Sequence, residues 1–244
     1  MATDQARYLK LEGSYNIRDI GGYPTSDGRQ TRWHSFIRAD RLTALTTDSQ
    51  QALLDYGVRT VIDMRFPREI AKTPNVFAQS TAVTYLNLVV FTDEAASQVE
   101  FVETLFEQNL FTLDECQAQM RTVFEAIATQ PLGVLVHCTI GKDRTGLIVA
   151  LLLSLVGVPL EIIAQDYALS AVYLEPVLEK MRQRARASRP EIAYKLELKL
   201  TALPETILDT LNYVEQKYGG ALGYLQTIGV TSAQIIALGA LLVE

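Results

Sequence analysis

The stretch from His137 to Gly146 reads HCTIGKDRTG and places a cysteine and an arginine on one short segment. Five residues separate Cys138 from Arg144. A loop of this length can turn several backbone amides toward one anion and so form an anion-binding nest. Arg144 could then bind two oxygens of that anion through its planar guanidinium group. The spacing therefore predicts a phosphate site in which Cys138 is the nucleophile.

Several neighbours of Cys138 have the side chains that this chemistry needs. A thiol attacks as the thiolate, and an ordinary pKa of about 8.5 leaves it mostly protonated at neutral pH. A helix beginning at Arg144 would favour the thiolate of Cys138 through its dipole and its unpaired amides. Gly141 permits a tight turn, and Thr145 could place its hydroxyl near the sulfur. We expect His137 to orient the loop without transferring a proton.

The phosphate of a substrate is expected to contact the loop itself and one arginine outside it. Lys142 would add positive charge beside the phosphate, and the plainer alternative is a lysine that faces solvent. Arg38 and Arg65 would lie at the rim, or would serve as structural ion-pair partners. The predicted binding residues are Thr139, Ile140, Gly141, Lys142, Asp143, Thr145 and Arg65.

The leaving oxygen needs a proton, and a carboxylic acid is the usual donor. Asp63 is the first candidate because it ends a predicted parallel strand, as Cys138 does, and ligand sites gather at that edge of a sheet. Asp143, inside the loop, is the second candidate. Each has a structural alternative: Asp63 could pair with Arg65, and Asp143 could be a solvated charge or pair with Lys142.

The surrounding pattern alternates strands with helices, which predicts an α/β fold with a mostly parallel central sheet flanked by helices. The loop would join a buried strand to an apolar helix, which is the context that such a motif requires. The segment from Gly13 to Gly28 reads as irregular chain with turns. The predicted strands are Val58–Met64, Val83–Val90 and Leu132–His137, and the clearest helices are Thr46–Tyr56, Arg144–Val156 and Ser232–Leu242.

The second half of the chain reads as helical. Residues 93–130 are mostly helical, with a break expected near Asn109 and a capping box at Thr112 and Glu115 for the second helix. These helices could form a mobile lid over the site or pack as ordinary core. No composition change marks a boundary, so we predict a single domain over residues 1–244.

Composition excludes several functions. The net charge is −6, so there is no global positive field to attract a nucleic acid. The 2 cysteines, Cys116 and Cys138, are too few for a disulfide scaffold. The histidines, His34 and His137, belong to no cluster of metal ligands, so we expect neither a metal nor another cofactor.

The N-terminal residues contain no apolar segment of the kind found in cleavable signal peptides. The longest apolar run, Gly146 to Val158, is too short to cross a bilayer and predicts a buried helix instead. We therefore expect a cytoplasmic protein with no integral membrane span, with export by another route left open.

The loop sequence resembles the P-loop of protein tyrosine phosphatases, and more narrowly that of the bacterial PtpB-like or LipA-like group, whose loop carries Lys-Asp between glycine and arginine. Other stretches of this chain resemble motifs of the same group in the same order. They are Asn16–Gly22 (NIRDIGG), Phe36–Asp40 (FIRAD), Ile62–Arg65 (IDMR) and Asp166–Ser170 (DYALS).

The resemblance implies a tyrosine-phosphatase-like fold and a dual- or triple-specificity phosphatase that works through a phosphocysteine. The partners would be a phosphorylated protein or a phosphoinositide as substrate, with inorganic phosphate as product. In that group a lysine at the position of Lys142 is linked with phosphoinositide acceptance. Ile140 stands where the group often has alanine, which bears on substrate preference.

Two other functions use a similar loop. A catalytically silent module would bind phosphate without a working acid, and the intact pair Cys138 and Arg144 counts against it. A sulfur-transfer enzyme would carry a persulfide on the same cysteine, but Arg144-Thr145 at the start of the helix favours phosphate chemistry.

Overall fold

The computed structural model of the chain describes residues 4–99, 102–188 and 199–243. A sheet with the strand order β1-β2-β5-β3-β4 lies at its centre. β1 is antiparallel to β2, and every other neighbouring pair is parallel. The predicted mostly parallel α/β sheet is therefore confirmed. Its strands are β1 (Arg18–Asp19), β2 (Phe36–Ala39), β3 (Thr60–Asp63), β4 (Thr84–Asn87) and β5 (Val134–His137).

Helices account for most of the remaining chain. In the described part none is both long enough and apolar enough to cross a membrane. They are α1 (Asp4–Arg7), α2 (Thr47–Tyr56), α3 (Pro67–Lys72), α4 (Asp93–Val99), α5 (Leu105–Glu115), α6 (Gln117–Thr129), α7 (Asp143–Leu155), α8 (Leu160–Ser188), α9 (Pro204–Tyr218), α10 (Gly220–Thr227) and α11 (Ser232–Leu242).

The central strands β2, β3 and β5 are buried along their whole length. Because side chains alternate along a strand, each strand supplies apolar groups to both faces of the sheet. One face packs against α7 and the helical second half, and the other against α2 and the N-terminal segment. The first face carries Phe36, Ile62, Val134 and Val136, and the second carries Ile37, Val61 and Leu135.

The carboxyl ends of β2, β3 and β5 lie side by side at one edge of the sheet. Ala39 of β2 and Asp63 of β3 both pair with His137 of β5. Cys138 therefore leaves the middle of the sheet at its carboxyl edge, where α/β proteins bind ligands. The following helix α7 is buried without interruption from Thr145 to Leu153, so its N-terminus has little freedom to move.

Two local predictions were wrong for identifiable reasons. The helices after residue 93 are interrupted between α4 and α5 and again at Cys116, between α5 and α6, and not near Asn109. Asn109 stays helical because it is buried and its side-chain amide donates to the hydroxyl of Thr210, 3.0 Å away. The capping box lies at Thr104 and Glu107, at the start of α5, and not at Thr112. The capping box at Thr231 and Gln234 of α11 is present as the spacing indicates.

Strands β1 and β2 were not predicted, because arginines lie within them. Arg18 and Arg38 pair across these strands and are fully buried. Both guanidinium groups bind the carboxylate of Asp166 on α8, at 2.8 Å from Arg18 and 2.5 Å from Arg38. Burial alone would raise the pKa of Asp166, but the two arginines hold it well below its usual value. This ion network attaches α8 to the edge of the sheet.

Replacing Asp166 by alanine should destabilise the protein strongly. Two buried guanidinium groups would lose their shared partner, and such uncompensated burial costs about 3–5 kcal/mol. Urea denaturation at pH 7 would measure the free energy of unfolding. The matched control is Glu125→Ala, which removes a surface partner of Arg121 on α6 and should leave stability nearly unchanged.

The pH dependence gives a second readout of the same substitution. A carboxyl whose folded pKa is lowered stabilises the protein above its unfolded pKa of about 4 and loses that contribution as pH falls below it. Wild type should therefore lose stability faster than Asp166→Ala between pH 5 and pH 3. Parallel curves for the two proteins would show that Asp166 is not held as a buried ion.

Candidate active site

The loop between β5 and α7 has its backbone carbonyls fully engaged. Each carbonyl from His137 to Lys142 accepts a hydrogen bond, and the donors come from the N-terminal segment, β2, the chain after β3, the His137 ring and α7. They are Met64 N to His137 O (2.9 Å), His137 Nδ1 to Cys138 O (2.9 Å), Arg41 N to Thr139 O (3.2 Å), Asn16 Nδ2 to Ile140 O (3.1 Å), Arg38 Nη2 to Gly141 O (2.8 Å) and Gly146 N to Lys142 O (2.7 Å).

By contrast, the backbone amides of the same loop are unpaired in the described part of the protein. Among the residues that the structure describes, none of the amides from Thr139 to Arg144 donates to a protein acceptor. A run of unpaired amides at the start of a helix forms an anion nest with a positive local potential. The loop is therefore built to bind an anion such as a phosphoryl group beside Cys138.

Gly141 and His137 fix the path of this loop. Gly141 has φ +66°, and a Cβ at that position would lie 2.2 Å from the carbonyl oxygen of Ala39, so only glycine fits. Burial lowers the pKa of the His137 ring. Its Nδ1 must donate to the Cys138 carbonyl, and its Nε2 then accepts from the side-chain amide of Asn75 at 2.8 Å. A neutral, fully bonded ring orients the loop, as the sequence predicts.

Arg144 is held by a residue that the sequence reasoning missed. The carboxylate of Glu69, on α3, binds both terminal nitrogens of Arg144, at 3.1 and 3.4 Å, and also accepts from the hydroxyl of Thr139. Burial alone would raise the pKa of Glu69, but Arg144 and Thr139 hold it below its usual value. The sequence does contain a signal for a structural role of this residue: Glu69 lies three residues after Phe66, the spacing of a carboxylate that caps the start of a helix. In the structure its carboxylate accepts from the amide of Phe66 at 2.8 Å.

A cavity of about 340 Å³ opens over the loop. It brings together Cys138, Arg144 and Asp143, so the candidate nucleophile, the candidate phosphate-binding arginine and one candidate acid share one space. The opposite wall is largely apolar and comes from α4, α5, α8 and the ends of β3 and β4. The complete lining is Phe66, Arg68, Phe91, Ala96, Val99, Gln108, Cys138, Thr139, Ile140, Asp143, Arg144 and Met181.

Asp63 does not line this cavity. Its side chain is fully buried, accepts from Arg65 Nη2 at 2.7 Å and from the hydroxyl of Tyr85 at 2.9 Å. Burial alone would raise the pKa of Asp63, but the bonds from Arg65 hold it below its usual value. The structure therefore places the first candidate acid, and with it Arg65, in a structural ion pair away from the substrate. Asp143 is the candidate that faces the cavity.

Lys142 and Thr145 also lie outside the cavity lining. Lys142 is fully buried, and its ammonium group donates to the carbonyls of Lys199 (2.5 Å) and Thr201 (2.6 Å). The same group lies 3.2 Å from Asp143 Oδ1. The structure does not place Lys142 against a phosphate; it ties the loop to the chain before α9. Thr145 is fully buried at the start of α7, and its hydroxyl has no partner among the described residues.

Ile140 and the helices after residue 93 shape the rest of the cavity. Ile140 packs against Leu174, Leu178 and Leu200, so the β-branched side chain connects the loop to α8. Ala96 of α4 and Gln108 of α5 line the cavity, which places part of the predicted lid at its wall. The mobility of these helices stays a prediction.

The fold and the loop together place Cys138, Arg144 and a run of unpaired amides at the carboxyl edge of a parallel sheet, an arrangement suited to binding an anion. The model of the tyrosine phosphatase family matches residues 9–244, and the chain therefore belongs to that family. It is a phosphatase, and dependence on a cysteine is typical of the family. This confirms the resemblance inferred from the loop motif.

Two relatives found by sequence comparison agree with this membership. A tyrosine-protein phosphatase of Nostoc commune is 35% identical over 214 residues, which cover 82% of this chain and 71% of the relative. A triple specificity protein phosphatase PtpB of Mycobacterium tuberculosis is 25% identical over 93% of this chain and 95% of its own length. A solved structure of P. aeruginosa TpbA in complex with pTyr is 17% identical, covering 68% of this chain and 80% of TpbA with a TM-score of 0.36.

Replacing Glu69 by alanine should lower kcat/KM on the order of 10- to 100-fold, because Arg144 would lose the partner that holds its two nitrogens in place. Steady-state assays with an aryl phosphate would measure this loss. Glu125→Ala is the control, since Glu125 makes only an exposed pair with Arg121 on α6. An unchanged kcat/KM with tighter inhibition by inorganic phosphate would instead show that Glu69 competes with the substrate for Arg144.

Proposed function

We propose that the chain hydrolyses phosphomonoesters in two steps through a phosphocysteine at Cys138. The observation that supports this most strongly is the cavity in which Cys138, Arg144 and the unpaired amides of the loop meet. The thiolate attacks phosphorus while the ester oxygen leaves with a proton. Water then attacks the phosphocysteine and releases inorganic phosphate and the free thiolate.

Arg144 and the loop amides stabilise the three equatorial oxygens of the phosphoryl group in both steps. Burial alone would lower the pKa of Arg144, but the charges of Cys138 and Glu69 raise it, so the guanidinium stays cationic throughout. The amides need no reorientation during the reaction, since the carbonyls behind them are already bonded.

We assign the general acid to Asp143 and not to Asp63. Asp143 lines the cavity with Cys138, whereas Asp63 is enclosed and paired with Arg65. In the first step Asp143 gives its proton to the leaving oxygen. In the second it accepts a proton from the attacking water.

The proposed substrates are phosphorylated protein side chains, with phosphotyrosine first. The walls that Phe66 and Phe91 contribute suit an aryl group: the two rings stack with centroids 6.3 Å apart. Phosphoinositides are a second candidate, supported by Arg68 on the cavity wall and by the similarity to a triple specificity phosphatase. Lys142 gives this second candidate no support, because its ammonium group is engaged elsewhere.

Replacing Cys138 tests the alternative function, a catalytically silent module that binds phosphate. Wild type should release phosphate from an aryl phosphate at mildly acidic pH with a chelator present, and Cys138→Ser should lose all measurable release. The serine variant should still bind inorganic phosphate, since amides and Arg144 remain. Binding without turnover in the wild type would establish the silent module, and activity in Cys138→Ser would show that Cys138 is not the nucleophile.

The two aspartates can be separated by their response to the leaving group. Without its general acid the enzyme should depend more steeply on leaving-group pKa, so Asp143→Asn should lose about 100-fold or more on phenyl phosphate and far less on p-nitrophenyl phosphate. Asp63→Asn should keep the leaving-group dependence of wild type, even if its rate or stability falls. The reverse pattern would assign the acid to Asp63.

A further inference from the structure

Tyr167, on α8, is a buried tyrosine that the proposed mechanism has not used. Only 2% of its surface is exposed. Its ring lies against Gly146 in the first turn of α7, where a Cβ on the glycine would come within 2.8 Å of two ring carbons. The absence of a side chain at Gly146 therefore lets the tyrosine reach past α7 toward the phosphate loop.

The hydroxyl of Tyr167 is left without a hydrogen-bond partner in the described part of the chain. It is buried, and among the described residues it makes no hydrogen bond that meets ordinary geometry. Asp143 Oδ1 is also buried and accepts no hydrogen bond in the described part of the chain, although it is ion-paired with the ammonium of Lys142, 3.2 Å away. A buried hydroxyl and a buried carboxylate oxygen that both lack a hydrogen bond are stabilised when they bond to each other.

The two groups lie at the same turn of α7. Asp143 and Gly146 are three residues apart in the first turn, and residues at this spacing share one side of a helix. The ring of Tyr167 packs on Gly146, so its hydroxyl lies on the side of α7 that carries Asp143. Burial, followed by the charge of Asp143, raises the pKa of Tyr167 well above its ordinary value, so the hydroxyl keeps its proton at neutral pH.

We propose that Tyr167 is a positioning residue for the general acid: its hydroxyl donates to Asp143 Oδ1, so that the acidic proton is carried on Oδ2, toward the leaving group. This inference rests on the proposed function of Asp143. When the Sγ–P bond forms and the P–O bond breaks, the proton passes from Oδ2 to the leaving oxygen. Asp143 becomes a carboxylate, and the bond from Tyr167 strengthens because its acceptor is now charged.

The bond has a defined effect on proton transfer. A donor held on Oδ1 fixes the orientation of the carboxyl group, so its loss should weaken the transfer of the proton from Oδ2 to the leaving oxygen. The charged and titratable groups that face this pair are Lys142, Arg144 and Cys138 in and beside the loop and Arg38 on β2. All four are retained when only the hydroxyl of Tyr167 is removed.

The test is Tyr167→Phe, assayed as kcat/KM with phenyl phosphate and p-nitrophenyl phosphate. The loss of kcat/KM should be about tenfold greater on phenyl phosphate, the substrate that needs the acid more. Tyr224→Phe is the matched control, because that buried hydroxyl donates to the carbonyl of Leu113, at 3.3 Å.

Two further measurements keep the outcomes distinct. Adding Tyr167→Phe to Asp143→Asn should not change the leaving-group dependence any further. Tyr167→Met fills much of the same space without a hydroxyl and should show the same greater loss on phenyl phosphate; this variant serves if Tyr167→Phe fails to fold.

A leaving-group dependence like that of wild type, in both position-167 variants, would overturn the inference while Asp143 remained the acid. If Asp143→Asn itself kept the leaving-group dependence of wild type, the acid assignment would fail first. If Cys138→Ser retained activity, the proposed function would fail with it.

Discussion

A phosphate loop can turn its amides inward only if its carbonyls find donors elsewhere, and this constraint organises the rest of the molecule. A buried carbonyl without a partner is costly, so each one from His137 to Lys142 needs a donor in a fixed place. Asn16 and Arg38 supply donors from parts of the chain that are more than 100 positions away in sequence. The N-terminal segment and β2 therefore belong to the site, although neither lines the cavity.

Two buried arginines explain how those donors are held. Arg38 bonds the carbonyl of Gly141 with one nitrogen and Asp166 with another, and Arg18 shares Asp166 while its Nη1 donates to Asn16 at 2.5 Å. One carboxylate on α8 thus orients both side chains that support the loop. Burial lowers the pKa of Arg38 to about 10, so it remains charged at neutral pH. Buried ions are a poor source of stability, but here they define the geometry of an anion site.

The part of the site that could be predicted from the sequence is the part encoded locally. Cys138 and Arg144 are close in the chain, and a strand, a glycine and an apolar helix around them give the motif its context. Glu69 and Tyr167 could not be assigned in the same way, because each meets the loop only through the folding of another helix. Asp63 shows that a position at the end of a parallel strand does not by itself place a side chain in the site. It ends β3 beside β5 as expected, yet its side chain pairs with Arg65 and does not line the cavity. Strand β2 was not predicted because Arg38, which supports the loop, interrupts the pattern of apolar residues in the strand.

Both cations of the loop lie beside carboxylates. Glu69 binds Arg144, and Lys142 lies beside Asp143 while its remaining bonds go to backbone carbonyls. Because these cations are already shared, the fixed amides supply a large part of the attraction for a phosphoryl group entering the loop. Fixed dipoles stabilise a developing charge only when they do not have to reorient. The rigidity supplied by the buried arginines and by α7 is then part of catalysis, and this explains why so much of the chain is committed to positioning a loop of a few residues.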